Sequence, residues 1–269
     1  MTIVTLTTDF GWSDGYVGIM KGVILGIAPG TELVDLSHDI TPQDVQQASF
    51  VLSRAAPYFP EGTVHLAVVD PGVGSDRRPL LIQTNRAAYV GPDNGILTHS
   101  LSGEGAQAFE LDNPAYWLPA ISRTFHGRDI FAPVAAHLVR GVPAGAMGRL
   151  IDDPVRLAGP APVRHPDGHI DGHLVHVDRF GNLISDIPAA WAGPGGGICR
   201  VAGQEIAGPS PSYAGVARGQ LVALIGSGNT LEIAVRDGSA ARRLGVERGA
   251  DVAFWPAKQP QGGGAGSSS

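Results

Sequence analysis

Several carboxylates in the first half of the chain directly follow short apolar runs, where they could act as bases or bind a ligand. Asp9 follows Ile3-Val-Thr-Leu-Thr, Asp70 ends Val64-His-Leu-Ala-Val-Val, and Asp93-Asn94 follows Ala88–Val90. Ligands of parallel α/β sheets bind outside the carboxyl ends of the strands, so we expect these groups to share one crevice. An Asp before Gly or Pro is also an ordinary turn residue, so the convergence indicates an active site more than any single residue does.

Glycines crowd the same places and favour close approach of the backbone to a ligand. They occur in Asp9-Phe-Gly-Trp-Ser-Asp-Gly, Asp70-Pro-Gly-Val-Gly, Gly91-Pro-Asp-Asn-Gly and His126-Gly-Arg-Asp. None of these segments is a Walker loop or a Gly-x-Gly-x-x-Gly turn after the first strand. The sequence therefore allows a nucleoside ligand, but it does not support a triphosphate or a dinucleotide bound by one of the usual glycine-rich motifs.

Two groups of residues have types that could bind metal, and we expect neither to do so. His165, His169, His173 and His176 would share one face of a helix, but Pro166-Asp-Gly and Asp171-Gly exclude a helix, and hairpin geometry is expected to scatter them. Asp9, Asp14, Asp70 and His126 could surround a hard cation, but Arg77, Arg78 and Arg128 would compete for the same carboxylates.

The elements that must position the first-half residues alternate between strand and helix patterns. This alternation predicts an α/β domain over residues 1–155 with a mainly parallel sheet. Helices are expected at Tyr16–Ile27, Asp44–Tyr58 and Ile130–Arg140, with Thr41 as a plausible N-cap ahead of Pro42. Strands are expected at residues 3–7, 33–36, 64–70, 80–83 and 88–90.

The second half predicts a small all-β barrel or sandwich, because short alternating strands are separated by turns. A Pro-rich linker over 156–168 precedes this domain at 169–257, and a Gly- and Ser-rich flexible tail follows at 258–269. A helical turn is expected at Ser239–Leu244, and Cys199 is interpreted as a small buried hydrophobe. Strands are expected at residues 172–177, 183–187, 197–201, 220–225, 230–235 and 251–254.

Bulk composition excludes several kinds of partner. The 269 residues carry a net charge of −6 and contain no basic run, so nucleic acid is not an expected partner. No apolar run approaches the roughly 18 residues that a membrane span needs, and the first residues lack the pattern of a signal peptide. One cysteine rules out an intramolecular disulfide and fits a reducing compartment. We therefore expect a cytoplasmic protein.

Five motifs, in order, resemble the S-adenosylmethionine hydroxide adenosyltransferases, which are relatives of the bacterial fluorinase and chlorinase. The motifs are Thr8-Asp9-Phe-Gly-x-x-Asp14-Gly-Tyr-Val-Gly-x-Met-Lys-Gly, Val69-Asp70-Pro-Gly-Val-Gly-x-x-Arg77-Arg78, Pro92-x-Asn94-Gly95, Phe125-His126-Gly-Arg-Asp-Ile-Phe and Asp178-x-Phe180-Gly-Asn182. The resemblance runs from Thr7 to about Asp251. It implies an N-terminal α/β domain and a C-terminal β-barrel, assembled as a homotrimer or a dimer of trimers with sites between neighbouring subunits.

The resemblance also implies roles for individual residues. Asp9 would hold the ribose hydroxyls, Asp14 and Asp178 would lie near the methionine portion, and Ser227 would meet its carboxylate. Phe180 and Tyr213 would enclose adenine, whose edge Asn182 would read, although barrel core remains the alternative for the two rings. Arg236 stands where the family pattern has Asn. The full set of expected substrate-binding residues is Asp9, Asp14, Asn94, Gly127, Asp178, Phe180, Asn182, Tyr213, Ser227 and Asp237.

The resemblance assigns Asp70, Arg77 and His126 as the catalytic group of a hydrolase that forms adenosine and methionine, without a cofactor or metal. Positioned bases on water are typically worth about 10²–10⁴-fold. Asp70, Val73 and His126-Gly127 stand where the fluorinase has Tyr, Thr and Tyr-Ser, so a halide site is not expected. The alternatives are a halide adenosyltransferase, a non-catalytic S-adenosylmethionine or adenosine sensor and a metal-dependent nucleotide hydrolase.

Overall fold

The computed structural model describes residues 2–193 and 195–257, and the chain divides into two compact units between Ala158 and Gly159. The tail expected at 258–269 lies outside the described residues. Within the described ranges no helix is long and apolar enough to cross a lipid bilayer. The strands of unit 1 are β1 (Ile3–Thr8), β2 (Glu32–Ser37), β3 (Thr63–Val68), β4 (Pro79–Gln83), β5 (Ala87–Pro92), β6 (Gln107–Glu110) and β7 (Arg149–Ile151). Its helices are α1 (Tyr16–Ile27), α2 (Val45–Ala55), α3 (Ala132–Val139) and α4 (Ala144–Met147).

Unit 1 contains a seven-stranded mixed sheet in the order β2-β1-β3-β5-β4-β6-β7. The first four strands in this order pair in parallel, as expected from the strand–helix alternation. The other pairings, β5 with β4, β4 with β6 and β6 with β7, are antiparallel. The short β4–β5 connection explains the antiparallel pairing of those two strands, because a crossover to a parallel neighbour needs a dozen or more residues.

The parallel half of the sheet is covered on both faces, which is why every residue of β1, β3 and β5 is buried. α1 and α3 supply one cover, where Met20 and Ile24 pack into the cluster that contains Phe131. Leu52 of α2 belongs to a second cluster with Ile82 of β4. The carboxyl ends of β1 and β3 are thereby fixed in a rigid frame.

The N-cap of α2 differs from the expectation. Thr41 was expected to cap this helix, but the cap is Asp44, whose side chain accepts a hydrogen bond from the Gln47 amide at 2.9 Å. α2 cannot begin before Asp44, because Gln43 has a φ of +67°, a left-handed conformation that α-helices do not contain. The expected cap was therefore wrong by three residues.

Unit 2 contains a strongly bent, nearly closed antiparallel sheet in the order β12-β11-β15-β9-β10-β14-β13, with β8 paired to β9. The sheet is nearly closed because Ser210, just after β12, donates its amide proton to Ala223 of β13 at 2.7 Å. β8 falls inside the segment 156–168 that the sequence indicated as a linker. The strands are β8 (Val163–Arg164), β9 (Ile170–Val177), β10 (Leu183–Pro188), β11 (Gly197–Val201), β12 (Gln204–Gly208), β13 (Leu221–Ile225), β14 (Thr230–Val235) and β15 (Asp251–Pro256), and the helices are α5 (Ala189–Ala192) and α6 (Ala240–Leu244).

The core of unit 2 follows from the period-2 burial of its strands. In β10 the residues alternate between buried and partly buried, which places Leu183 and Ile187 in the core. Cys199 is fully buried in β11, and burial raises the pKa of its thiol to about 12. The interpretation of Cys199 as a small hydrophobe is confirmed. The expected helical turn is also present as α6, capped by the Ser239 hydroxyl.

Candidate active site

Asp70 and Arg77 lie on one loop, which leaves β3 and returns as β4. The loop is folded tightly by Gly74, whose φ is +77° and whose place a Cβ could not take without overlapping the carbonyl oxygen of Arg123. This close approach brings the loop against the segment that carries His126. A glycine is required here for both reasons.

His126 immediately precedes a π-helical turn at Gly127–Phe131, which runs on into α3. π-turns of this kind occur often at functional sites. Gly127 is buried, and a Cβ at this position would lie 3.2 Å from the sulfur of Met20 and 3.3 Å from the ring of Phe125. The turn therefore packs closely, and it fixes the direction in which the His126 ring leaves the backbone.

Arg77 joins the other two members of the expected catalytic group. Its Nε donates to Asp70 Oδ1 at 2.9 Å and its Nη2 donates to Asp70 Oδ2 at 2.5 Å. The same Nη2 lies 2.8 Å from Nδ1 of His126. The Arg77 and Asp70 side chains are only 9% and 6% exposed, so this pairing is weakly screened by water. The structure brings the three residues together.

The hydrogen bond from Arg77 decides the protonation of His126. Guanidinium groups only donate, so Nδ1 must accept and the ring proton must reside on Nε2. Burial lowers the pKa of His126, and the nearby positive charge of Arg77 lowers it further, against opposing effects of Asp70 and Asp129. His126 is thus a neutral ring whose free nitrogen is a donor. The buried Nη1 of Arg77 is another donor, and it has no partner among the described residues.

Asp70 and His126 line a crevice of about 370 Å³ at the carboxyl ends of β1 and β3, whereas Arg77, which contacts both, is not a lining residue. Asp9 belongs to the same crevice, and its Oδ2 accepts a hydrogen bond from the Gln43 amide at 2.8 Å. Phe10, Tyr16 and Phe125 form an apolar wall of edge-to-face rings, with centroids 5.3–5.8 Å apart. The remaining lining residues are Gln43, Val68, Asp70, Pro71, Val73, Thr124, His126 and Gly127.

Asn94 and Asp93 lie at the end of β5 but do not line this crevice. Asn94 donates to the carbonyl of Val69 at 2.9 Å, so it braces the strand end from which Asp70 projects. Asp93 binds Arg78 at 2.8 Å and the Val155 amide at 2.7 Å. The expectation that Asp93 joins the shared crevice is wrong, because its buried carboxylate is bound by Arg78 and the Val155 amide.

Five of the six expected recognition residues of unit 2 line a separate crevice of about 730 Å³: Asp178, Phe180, Asn182, Tyr213 and Asp237. Phe180 and Tyr213 are 76% and 43% exposed. The Tyr213 hydroxyl donates to Glu232 at 2.6 Å, and burial together with this carboxylate raises the pKa of Tyr213 to about 12. The exposure of Phe180 contradicts the barrel-core alternative for this ring, and Tyr213 is likewise outside the core of unit 2.

Asp178 organises the turn that presents Phe180. Its Oδ1 accepts from the amides of Phe180 and Asn182, each at 2.9 Å, and its Oδ2 accepts from the Asn182 side-chain amide at 2.9 Å. Asn182 is buried, and this bond already uses one of its two side-chain protons. Both residues line the crevice, but much of their hydrogen-bonding capacity is engaged within the turn.

Three further expected residues are solvent-exposed. Asp14, in the β1–α1 loop, contacts the hydroxyl of Ser13 at 3.4 Å and does not line the crevice of unit 1. Ser227 lies in the β13–β14 turn, away from the residues that line the crevice of unit 2. Asp237 does line that crevice, where it pairs with Arg218 at 3.0 Å.

Sequence reasoning did not single out Asp129 and Ser122, which hold the His126 segment in place. Asp129 is fully buried and accepts from both the amide and the hydroxyl of Ser122 at 2.8 Å. Ser122 in turn accepts from the Phe125 amide at 3.0 Å. The motif around His126 contains Asp129, but nothing in the sequence indicates that Ser122 is its partner.

The histidines of unit 2 differ from expectation at one point. The rings of His165 and His169 stack with centroids 3.9 Å apart, so the expectation that the turns scatter all four histidines is wrong for this pair. The turn between them contains Gly168 at φ +94°, and the His165 amide donates to the His169 carbonyl at 2.8 Å. The hairpin therefore places the two residues opposite each other.

A strand-end crevice that holds a paired carboxylate and guanidinium beside a neutral imidazole is the arrangement of an enzyme acting on a small molecule. The sequence matches the SAM hydroxide adenosyltransferase N-terminal domain over residues 4–148 and the C-terminal domain over residues 172–253. The chain belongs to this family.

Relatives and solved structures agree with this assignment. A protein of Thermus thermophilus named (R)-S-adenosyl-L-methionine hydrolase is 41% identical over 94% of this chain and 99% of its own. A protein of the same name from Salinispora tropica is 38% identical over 91% and 95%. A fluorinase of Actinoplanes is 30% identical over 69% and 71%. The crystal structure of an uncharacterized conserved protein from Thermotoga maritima matches with a TM-score of 0.86 and 35% identity, covering 94% of this chain and 99% of that one.

Proposed function

We propose that the chain hydrolyses S-adenosylmethionine to adenosine and methionine by attack of water on the 5′ carbon. The observation that carries this proposal is the hydrogen-bonded group of Asp70, Arg77 and His126 in the strand-end crevice. Relatives that cover nearly the whole chain bear the name of this hydrolase. Localisation in the cytoplasm is part of the proposal.

The nucleophile is the difficult part of this reaction, because neutral water is weak and must lose a proton. Asp70 accepts that proton, since Nδ1 of His126 is already engaged with Arg77 and Nε2 carries a proton. The Nε2–H of His126 is a donor that stabilises negative charge developing on the attacking oxygen, and the buried guanidinium of Arg77 adds its positive charge nearby. His126 thus positions water and Asp70 is the base.

The leaving group needs no acid. As the bond from C5′ to oxygen forms, the bond from C5′ to sulfur breaks, and its electron pair neutralises the sulfonium to give the thioether of methionine. The proton of water passes to Asp70 and then to solvent, so atoms and charge balance. Developing hydroxide and the sulfonium cancel charge as they react, and the apolar wall of Phe10, Tyr16 and Phe125 favours this step by limiting water.

Substrate recognition is assigned to residues of both crevices and to Asp14 and Ser227, which do not line them. Asp9 binds the ribose hydroxyls, since Gln43 donates to only one of its two carboxylate oxygens. Phe180 and Tyr213 stack on adenine, for which their exposed rings provide an apolar surface. Asp178, Asn182, Ser227 and Asp237 supply the polar contacts of unit 2, and Asp14 supplies one from unit 1.

Incubation with S-adenosylmethionine in H₂¹⁸O tests the reaction. We expect adenosine with ¹⁸O at its 5′ oxygen and one equivalent of methionine, formed equally in the presence of EDTA because no metal or cofactor takes part. Methylthioadenosine with homoserine lactone, or free adenine, would mean a different reaction. Loss of activity in EDTA, restored by a metal, would favour a metal-dependent hydrolase instead.

The assembly is proposed to be a homotrimer or a dimer of trimers, in which unit 1 of one subunit and unit 2 of its neighbour complete each site. Coexpression of an Asp70→Asn chain with a Phe180→Ala/Tyr213→Ala chain tests this. Random mixing makes roughly a quarter of such shared sites wild type, so about that share of kcat/KM should return. No recovery, or a fully active monomer in light scattering, would contradict the shared site.

Water rather than chloride or fluoride is proposed as the nucleophile, because Asp70 and Val73 both line the crevice. A carboxylate about 4 Å from a bound anion costs about 4 kcal/mol at an effective dielectric near 20. Incubation in molar chloride should give no 5′-chloro-5′-deoxyadenosine by chromatography. Chlorinated product at a rate comparable to adenosine would overturn this assignment.

A further inference from the structure

The outer face of the β8–β9 hairpin brings together three potential metal ligands that the proposed hydrolysis does not use. Nε2 of His165 lies 2.9 Å from Oδ2 of Asp171, and Nε2 of His169 lies 3.7 Å from the same oxygen. One ligand atom from each of the three residues falls within 4.8 Å of the others. Ligands bound tetrahedrally to Zn²⁺ at about 2.0–2.1 Å are about 3.3 Å apart, and the two measured separations bracket this value.

The position of these residues follows from strand geometry. His169 and Asp171 are two residues apart, so they project from the same face of the hairpin, and Asp171 lies in the solvent-exposed part of the alternation of β9. His165 stands across the turn from His169, with the two rings nearly parallel at 4°. The face is therefore fixed by backbone hydrogen bonds before any ion binds.

A further carboxylate sets the tautomer of one of the rings. Oδ1 of Asp167 lies 2.5 Å from Nδ1 of His169, which places the ring proton on Nδ1 and leaves the lone pair on Nε2. Metal-binding histidines almost always donate their other nitrogen to a partner of this kind. The His169 ring also stacks with Trp255, with the ring centroids 5.5 Å apart and the planes at 11°.

We propose that His165, His169 and Asp171 bind a divalent transition-metal ion of the Zn²⁺, Ni²⁺ and Cu²⁺ class. Imidazole and carboxylate ligands suit this class, whereas Ca²⁺ and Mg²⁺ prefer oxygen ligands alone. Binding requires the ring proton of His165 to lie on Nδ1, so the ion replaces the contact between Nε2 of His165 and Asp171. The ion fastens β8 to β9 at the start of the barrel.

This site is distinct from the recognition crevice of unit 2 and does not rest on the proposed hydrolysis. His169 precedes β9 and Asp178 follows it, and the eight residues of that strand span roughly 25 Å at about 3.3 Å per residue. Removal of the ion is therefore expected to leave hydrolysis unchanged. A protein that fails to bind metal would overturn this proposal alone, and a protein that fails to hydrolyse S-adenosylmethionine would overturn the proposed function alone.

Calorimetric titration of tag-free protein with Zn²⁺ tests the site, since a histidine tag would obscure it. We expect one equivalent to bind with a dissociation constant on the order of 10 µM or tighter. His165→Gln and His169→Gln should each weaken binding at least about 10-fold, and Asp167→Asn about 10-fold through the orientation of His169. His173→Gln is the matched control, because His173 lies on the same strand face but outside the cluster.

Fluorescence with Cu²⁺ gives a second measurement. Cu²⁺ bound to His169 should quench Trp255, so the quenching should disappear in Trp255→Phe and in His169→Gln and persist in His173→Gln. Thermal melting without metal verifies that each variant is folded. Unchanged affinity in both His165→Gln and His169→Gln, equal loss in His173→Gln, or no binding at 100 µM Zn²⁺ would overturn the proposal.

Discussion

The carboxylate of Asp70 and the ring of Phe180 are held in opposite ways. Asp70 is almost buried, and Arg77 binds both of its oxygens. Phe180 is 76% exposed at the tip of a turn whose hydrogen bonds involve its backbone and not its ring. A group that moves protons must have its position and charge set beforehand, whereas a stacking surface needs only to be presented. The comparison predicts that a change of Asp70 lowers turnover and that a change of Phe180 weakens substrate binding.

The largest effect is expected from Asp70→Asn, which keeps the shape of the side chain but removes the base. We expect kcat to fall by at least about 10²-fold with KM nearly unchanged. Asp93→Asn is the matched control, since Asp93 also follows a strand and also binds an arginine but lies outside the crevice. Initial rates of adenosine formation measure both variants. Equal losses of kcat in the two would remove the distinction between a catalytic and a structural strand-end aspartate.

Acid should destabilise unit 1 before it affects unit 2. Burial lowers the pKa values of His65 and His99 to about 4, whereas the four histidines of unit 2 are partly exposed. Below pH 6.5 the unfolded chain binds protons that the folded chain refuses, so stability falls as the pH drops from 6.5 towards 4. The loss is on the order of 2 kcal/mol for each histidine by pH 4.5.

Hydrogen exchange at pH 7.0 and 4.5 measures this difference between the units. Protection should decrease in β3 (Thr63–Val68) more than in β14 (Thr230–Val235). A His65→Gln/His99→Gln chain should lose most of the pH dependence in β3. An equal decrease in both strands of the unaltered chain would show that these buried histidines are not the cause.

A smaller effect is expected from Phe180→Ala. Stacking of a base on an aromatic ring is worth about 1–3 kcal/mol, so KM should rise about 10-fold while kcat stays nearly constant. Phe180→Trp, which preserves the aromatic surface, should restore KM. A fall in kcat without a rise in KM would show that Phe180, like Asp70, acts in turnover and not in substrate binding.

The smallest effect is expected from breaking the ion pair of Arg218 and Asp237. Both side chains are largely exposed, at 82% and 60%, and exposed pairs contribute about 0–1 kcal/mol. Arg218→Ala should therefore change the free energy of unfolding by less than about 0.5 kcal/mol in urea denaturation. A larger change would mean that the crevice of unit 2 is as firmly held as that of unit 1.

Several elements were predictable because their signals are local. β11 and β14 have the predicted bounds, and α1 begins at Tyr16 and ends at Ile27 as predicted. The strands that were missed, β6, β7, β8 and β12, have two to five residues, too few for a clear period. Their existence depends on neighbours distant in sequence, as with β6 beside β4.

The same distinction applies to the site. Asp70, Arg77 and His126 were identified by their motifs, and the structure places them in contact. Asp93 and Asp70 look alike in the sequence, since each follows a strand. The contact of Asp93 with Arg78, which distinguishes the two, is a tertiary contact that the sequence does not show. The stacked pair of His165 and His169 was missed because the sequence does not show which residues face each other across the hairpin. A two-strand hairpin of this kind is visible only when the register across Gly168 is known.

The tautomer of His126 has a consequence for proton accounting in the proposed reaction. The substrate carries one more positive charge than adenosine and methionine together, so each turnover yields one free proton. His126 cannot store it, because Arg77 occupies Nδ1 and Nε2 is already protonated. Every cycle must therefore deliver acid to the medium, and a weakly buffered solution with an indicator dye would count turnovers directly.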